Sequence, residues 1–303
     1  MALPADHEER LARARVSLDG LSVGDALGEC FFNPRLRHAA SIRARELPPP
    51  DWRWTDDTAM AMALAEVLEE HGTIDRHKLA LAFARNFARD PGRGYGIGAM
   101  RLLAEIGMGK SWEVLSPAAF RGQGSMGNGS AMRVAPVGAY FADDLDQVVE
   151  QADRSAQVTH WHPEGRAGAI AVAVASALAW QMRADDPKLR PGQFFDAILI
   201  VTPSGPTQEG IAAACDLGPD ASVSEAVRLL GNGSHIMVPD TVPFCLWCAA
   251  WHLDNYVDAI WTTIEGLGDV DTTCAIVGGI VSLSAGEGSV PEEWLRNREL
   301  LEL

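Results

Sequence analysis

The chain has 303 residues, 47% of them hydrophobic and 22% charged, and a formal net charge of −16. That length suits one large domain or two small ones with a sizeable core, and the composition is ordinary for a globular protein. So negative a surface repels phosphate backbones, which argues against nucleic acid as a partner but not against one small nucleotide in a local pocket.

The first twenty residues mix acids and arginines and hold no apolar run, so they do not read as a signal peptide. A Pro-rich loop at 47–51 leads to Trp52 and Trp54, which suit packing or a pocket wall. Trp54-Thr55-Asp56-Asp57-Thr58 then opens a helix expected over 58–70. Thr and Asp are favoured N-caps, and acids in a first turn complement the helix dipole, so capping alone accounts for much of this segment. A second helix is expected over 76–89. The loop at 90–98 contains Arg93-Gly94-Tyr95-Gly96, an ordinary turn or a mount for an aromatic ring.

The loop at 121–129 includes Gly124-Ser125-Met126-Gly127-Asn128-Gly129. Its small residues let backbone N–H groups approach a diphosphate, and it runs toward a helix start that favours anions. Asn128 can donate and accept, which suits a ribose or phosphate edge. The alternative is a glycine-rich turn before a short helix. A Walker loop is excluded, since no Gly-Lys-Ser/Thr follows.

Helices are expected over 145–157 and 164–182, with His160 and His162 flanking Trp161 ahead of the second. The most apolar run, 167–180, is too short to span a bilayer. Ala-Ile-Leu-Ile-Val at 197–201 is the best strand candidate, though it can equally end a helix. A loop at 203–206 precedes a helix over 240–251, where Cys245 and Cys248 sit in apolar surroundings and read as core packing. Five cysteines without a secretory signal read as reduced thiols of a cytoplasmic protein.

Gly268-Asp269-Val270-Asp271-Thr272-Thr273 opens the last expected helix, over 271–285. Asp269 and Asp271 alternate, so in an extended loop both point one way. No repeat or domain boundary appears, and the chain reads as a single all-α domain spanning 1–303. Should the two acidic helix starts meet, four carboxylates converge and repel, and neither segment carries Lys or Arg to balance them. Hard divalent cations would, and oxygen ligation by Asp and Thr suits Mg²⁺ or Mn²⁺ rather than Zn²⁺.

The chain resembles the ADP-ribosylglycohydrolase family over about residues 10–293. Five ordered pieces carry the resemblance: Gly24-Asp25-Ala26-Leu27-Gly28, Thr55-Asp56-Asp57-Thr58, the run from Gly124 to Arg133, Thr159-His160 with Pro163, and Gly268-Asp269-Val270-Asp271-Thr272. The resemblance implies a compact multi-helix fold with a central binuclear cleft. Two Mg²⁺ or Mn²⁺ ions would be held by Thr55, Asp56 and Asp57 from one side, and by Asp269, Asp271 and Thr272 from the other. Gly124, Ser125, Met126, Gly127, Asn128 and Gly129 would cradle ADP-ribose, with His160 as a further contact and Tyr95 as a ring for the adenine.

Many members of the family carry a glutamate seven residues after the Asp of the first piece, where this chain has Phe32. Glu29 lies one helical turn earlier and on the same face. Glu29, Asp56 and Asp271 are the candidates for catalysis by proton transfer. The expected reaction is metal-dependent cleavage of the bond between ADP-ribose and an acceptor. Arginine on a protein is the first choice, since an acidic surface attracts a basic target. Serine-linked ADP-ribose, O-acetyl-ADP-ribose and small-molecule or nucleobase adducts are alternatives. A metal-dependent phosphohydrolase and a non-catalytic ADP-ribose-binding protein are the rivals from other classes.

Overall fold

The computed structural model describes residues 3–183 and 191–301. Among the described residues there are sixteen α-helices and no strand beyond two isolated bridges, Trp52 with Arg298 and Gly127 with Met237. In chain order α1 (His7–Cys30) and α2 (Ala39–Arg43) precede α3 (Asp56–His71) and α4 (Arg76–Arg89). There follow α5 (Ile97–Gly107), α6 (Trp112–Gly122), α7 (Ala135–Tyr140), α8 (Leu145–Gln157) and α9 (Pro163–Met182). The rest are α10 (Pro191–Val201), α11 (Pro206–Leu217), α12 (Val223–Leu230), α13 (Val238–Ala250), α14 (Tyr256–Glu265), α15 (Val270–Ala285) and α16 (Glu292–Asn297). No described helix is long and apolar enough to cross a membrane.

Local chemistry sets most of these boundaries. The side chains of Asp75, Ser111, Asp144 and Asn255 accept backbone N–H groups of the turns they open, and Ser222 with Glu225 completes a capping box. Proline occupies the first helical positions of α7, α9, α11 and α13, where its missing N–H costs nothing. The helices expected over 76–89 and 145–157 have those bounds, and the other four begin one or two residues earlier than expected. Residues 197–201 end α10 instead of forming a strand. Phe194, Phe195 and Ile198 are buried while Ile200 is exposed, which is helical spacing. Cys245 and Cys248 are buried core thiols, and all five cysteines are free.

At the centre α1 lies along α15 at unusually close range. A Cβ built on Gly20 would stand 2.4 Å from the Gly278 carbonyl oxygen, one on Gly24 2.1 Å from that of Cys274, and one on Gly28 2.5 Å from that of Val270. Residues four apart share a helix face, so the glycines form a groove into which the α15 backbone settles in antiparallel register. The consequence is positional. Asp25 and Glu29, each following a contact glycine, are carried to the start of α15, where Asp269 and Asp271 lie. The N-terminus of α3 reaches the same end.

Candidate active site

Asp25 organises the first acidic segment. It is fully buried, and its Oδ2 accepts from Thr55 N–H (2.9 Å), Thr58 N–H (3.1 Å) and Thr58 Oγ1 (2.5 Å). Thr55 Oγ1 lies 2.8 Å from Asp25 Oδ1 and 3.0 Å from Asp57 Oδ2, and its single proton serves one of the two. The same oxygen caps α3 by accepting from Asp57 N–H (3.3 Å). A second anchor comes from the 90–96 loop. Asp56 N–H donates to the Arg93 carbonyl (2.7 Å), while Arg93 donates to the Trp54 carbonyl (2.9 Å) and to both carboxylate oxygens of Glu299 (2.6 and 2.8 Å). The loop is thereby tied to the C-terminal segment.

The second segment arrives with α15. Asp269 is its N-cap and Asp271 lies in its first turn, so the pair is partly helical and not the extended loop expected from alternation. Val270 is fully buried and begins the helix early. Both acids still reach the site. Carboxylate oxygens of Asp25, Asp57 and Asp271 lie within 4.8 Å of one another. Asp269 accepts from Asn128 Nδ2 (2.7 Å), which also donates to Thr241 Oγ1 (3.1 Å). Thr272 is buried at the same helix start.

The electrostatics follow from crowding. Burial, then Asp25, then Asp269 push the Asp56 carboxyl up to about 7. Burial and the neighbouring aspartates hold Asp57 and Asp271 well above the usual carboxylate range. Asp25 is raised by burial in spite of its four hydrogen bonds. One oxygen of each key acid, Asp57 Oδ1 and Asp271 Oδ1, is buried without any hydrogen-bond partner. Unpaired buried carboxylate oxygens are costly, and hard-oxygen donors of this kind fit a divalent cation.

The glycine loop borders this cluster. Ser125 Oγ accepts from Gly127 N–H (3.1 Å), and the loop is pinned to the start of α13 by Asn128 N–H to the Ile236 carbonyl (3.3 Å) and Val238 N–H to the Met126 carbonyl (3.0 Å). At Gly124 the backbone is left-handed (φ 77°), and a Cβ there would lie 2.5 Å from the His162 nitrogen. The loop leads into a single 3₁₀ turn, Asn128–Ser130, and α7 starts only at Ala135, so the helix that follows in sequence does not begin at the loop; the starts of α9 and α13 lie against it instead. His160 is buried beside Gly127 and Gly129.

Tyr95 is buried edge-on to Phe87 (5.1 Å), with an unpartnered hydroxyl within electrostatic reach of Asp56. That position offers the site a hydroxyl more readily than a ring face. Glu29 is half-buried, and burial followed by Asp25 raises its carboxyl. Phe32 lies past the end of α1, 39% exposed, with Arg37 over its ring. Sequence reasoning assigned no role to Asp25, Thr58 or Arg133. The available signal for Asp25 was its place between Gly24 and Gly28.

Fold and site together define an all-α protein with a buried acidic cluster beside a glycine-rich loop. A family profile for ADP-ribosylglycohydrolase matches residues 6–302. The chain is 30% identical to ADP-ribosylhydrolase ARH3 of Homo sapiens, over 95% of this chain and 90% of that protein. It is 26% identical to ADP-ribosylarginine hydrolase Tri1 of Serratia proteamaculans, over 95% and 75% respectively. A solved structure described as an ADP-ribosylglycohydrolase-related protein complex shares the fold, with a TM-score of 0.64 and 23% identity over 96% of this chain and 94% of that one. The chain belongs to the ADP-ribosylglycohydrolase family and is an enzyme of that hydrolase class.

Proposed function

We propose that this enzyme acts in the cytoplasm and hydrolyses the glycosidic bond between ADP-ribose and an arginine side chain of a protein, using two Mg²⁺ or Mn²⁺ ions. The observation that carries the reading is the pair of orphaned buried oxygens, Asp57 Oδ1 and Asp271 Oδ1, brought together from helix starts more than 200 residues apart. Thr55, Asp56 and Asp57 would hold cations from the α3 side, and Asp269, Asp271 and Thr272 from the α15 side. Cations there would orient the ribose hydroxyls and make a bound water a stronger nucleophile.

The chain's own groups supply the rest. Gly124 to Gly129 and His160 bind the diphosphate and ribose, and exclude water from one wall. The carboxylates stabilise the positive charge of an oxocarbenium-like transition state. Glu29, raised by burial and by Asp25, accepts the proton of the attacking water. Arginine as acceptor is supported by the net charge of −16 and by the likeness to Tri1. A different ADP-ribose adduct is the second reading, since the identity to ARH3, whose name specifies no acceptor, exceeds that to Tri1.

Arginine-linked and serine-linked ADP-ribosyl peptides, each with and without Mg²⁺ or Mn²⁺, test both readings through release of free ADP-ribose. Metal-dependent release from the arginine peptide is the expected result. Release from the serine peptide alone would move the assignment to the second reading. Binding of ADP-ribose with no release from either would overturn both peptide linkages and move the assignment to another ADP-ribose adduct or to binding without turnover.

A further inference from the structure

Arg133 is the most buried cation among the described residues, with no exposed surface and no carboxylate at hydrogen-bond distance. Its Nη2 donates to the Ser155 carbonyl (3.0 Å) and to Thr159 Oγ1 (2.9 Å), and its guanidinium carbon stands 4.4 Å from the Phe83 ring centroid. Burial pushes it down to about 9, so it stays charged at neutral pH. A buried, unpaired cation is expensive to keep, so its hydrogen bonds invite an account. The next link is short: Thr159 Oγ1 lies 2.7 Å from His160 Nδ1.

We propose that Arg133 and Thr159 are positioning residues that fix His160 as its Nε2–H tautomer, so that the ring donates a hydrogen bond into the space walled by Gly127 and Gly129. Donors and acceptors fix the tautomer. A guanidinium can only donate, so Thr159 Oγ1 accepts from Arg133. The hydroxyl has one proton, and the one further group it bonds is His160 Nδ1. Were Nδ1 protonated, the hydroxyl proton would be left without an acceptor in a site 4% exposed. Nδ1 therefore accepts, and in a neutral imidazole the proton sits on Nε2. His160 is neutral, since burial and the facing Arg133 push it down to about 3.

Nε2 has no hydrogen-bond partner among the described residues, although the side chain is 8% exposed. A Cβ on Gly127 would lie 3.4 Å from Nε2, and one on Gly129 3.2 Å. The donor thus faces the gap those two glycines leave open. The group it would meet is an oxygen of ADP-ribose, and that identification rests on the function proposed above. The opposite tautomer would turn a lone pair toward that oxygen.

The test reads the tautomer directly. Long-range ¹⁵N–¹H correlation of protein labelled on histidine nitrogens, with the His160 signals assigned by their absence in His160→Gln, should show a protonated Nε2 and an unprotonated Nδ1. Thr159→Val should lose the single tautomer and weaken ADP-ribose binding by about tenfold, the size of one good hydrogen bond, and Thr159→Ser should restore both. A protonated Nδ1 in the wild type overturns the proposal, as does a Thr159→Val protein with unchanged tautomer and affinity. Should Thr159→Val fail to fold, the wild-type spectrum alone decides. A wild type that shows the Nε2–H tautomer but binds no ADP-ribose would sink the ligand reading and leave the relay standing.

Discussion

Gly24→Ala sets two opposed effects against each other inside one helix. Alanine is intrinsically better than glycine in a helix interior by about 1 kcal/mol, so propensity predicts stabilisation. Packing predicts the reverse. The new methyl would stand 2.1 Å from the Cys274 carbonyl oxygen and 2.7 Å from its carbon, both backbone atoms that cannot swing away. To bring that contact to 3.0 Å, α1 and α15 must part by about 0.9 Å, which also loosens the contacts at Gly20 and Gly28. A gap of that size forfeits up to half the dispersion energy along the seam, and overpacking typically costs about 1–3 kcal/mol or more. Sterics win, by about 2 kcal/mol, which lowers Tm by about 3 °C. Because Asp25 follows Gly24 and faces Asp271, affinity for Mn²⁺ falls too, by about tenfold or more. Gly107→Ala is the control, since its Cβ would meet only Ala84 Cβ at an ordinary 4.0 Å. Differential scanning fluorimetry and calorimetric Mn²⁺ titration read both effects. A Gly24→Ala protein with unchanged Tm and unchanged Mn²⁺ affinity would refute the close-packed seam as the device that aligns the acids.

Three further outcomes are expected. Asp57→Asn and Asp271→Asn should each abolish the thermal stabilisation given by Mn²⁺ while leaving the metal-free protein at least as stable, because each removes one of several repelling charges; retained Mn²⁺ stabilisation in both would rule out these oxygens as ligands. Glu299→Gln weakens the bidentate grip on Arg93, and with it the loop that accepts from Asp56 N–H, so stability should drop by about 1 kcal/mol and Mn²⁺ affinity several-fold; an affinity equal to wild type would sever the C-terminal segment from the site. As to pH, Asp56 is raised to about 7 in the fold and titrates near 4 when unfolded, so over that window the folded chain binds more protons. Stability of the metal-free protein should therefore fall as pH rises from about 4 to 7, and the Mn²⁺ increment in Tm should grow over the same range as cations replace protons; a metal-free Tm that rises through that window would contradict the crowding.

The parts that were legible in the sequence are those in which one local rule acts. α4 and α8 have a single apolar stripe and an aspartate cap, and their ends could be placed to the residue. The long α1 was not anticipated. Its glycines at 20, 24 and 28 look like helix breakers, and nothing local reveals that the backbone of α15 takes the place of their side chains. The same non-local contact conceals Asp25, whose meaning lies in hydroxyls 30 and 33 residues away. Thr55 to Asp57 and Asp269 to Thr272 stood out because acids and hydroxyls coincide at helix starts. That the two sets meet was available only from the order of motifs shared with the family, because no periodicity links residues so far apart.

The displaced glutamate follows from where α1 ends. In this chain the position seven residues after Asp25 is Phe32, beyond the helix terminus at Cys30 and partly in solvent under Arg37. Glu29 rides instead on the last turn of α1. Its neighbour Gly28 packs so tightly that an added Cβ would lie 2.8 Å from the Asp271 Cα. An acid on that turn has its backbone fixed relative to α15 by the glycine seam, whereas an acid at 32 would depend on a turn. Asp25 and Asp269 raise the Glu29 carboxyl, which in turn raises Asp271, so it belongs to the charge cluster. The seam that aligns Asp25 with Asp271 thus also carries Glu29, the proton acceptor of the proposed reaction, toward the acids, and the glycines, through their missing side chains, are as much a part of the site as the acids.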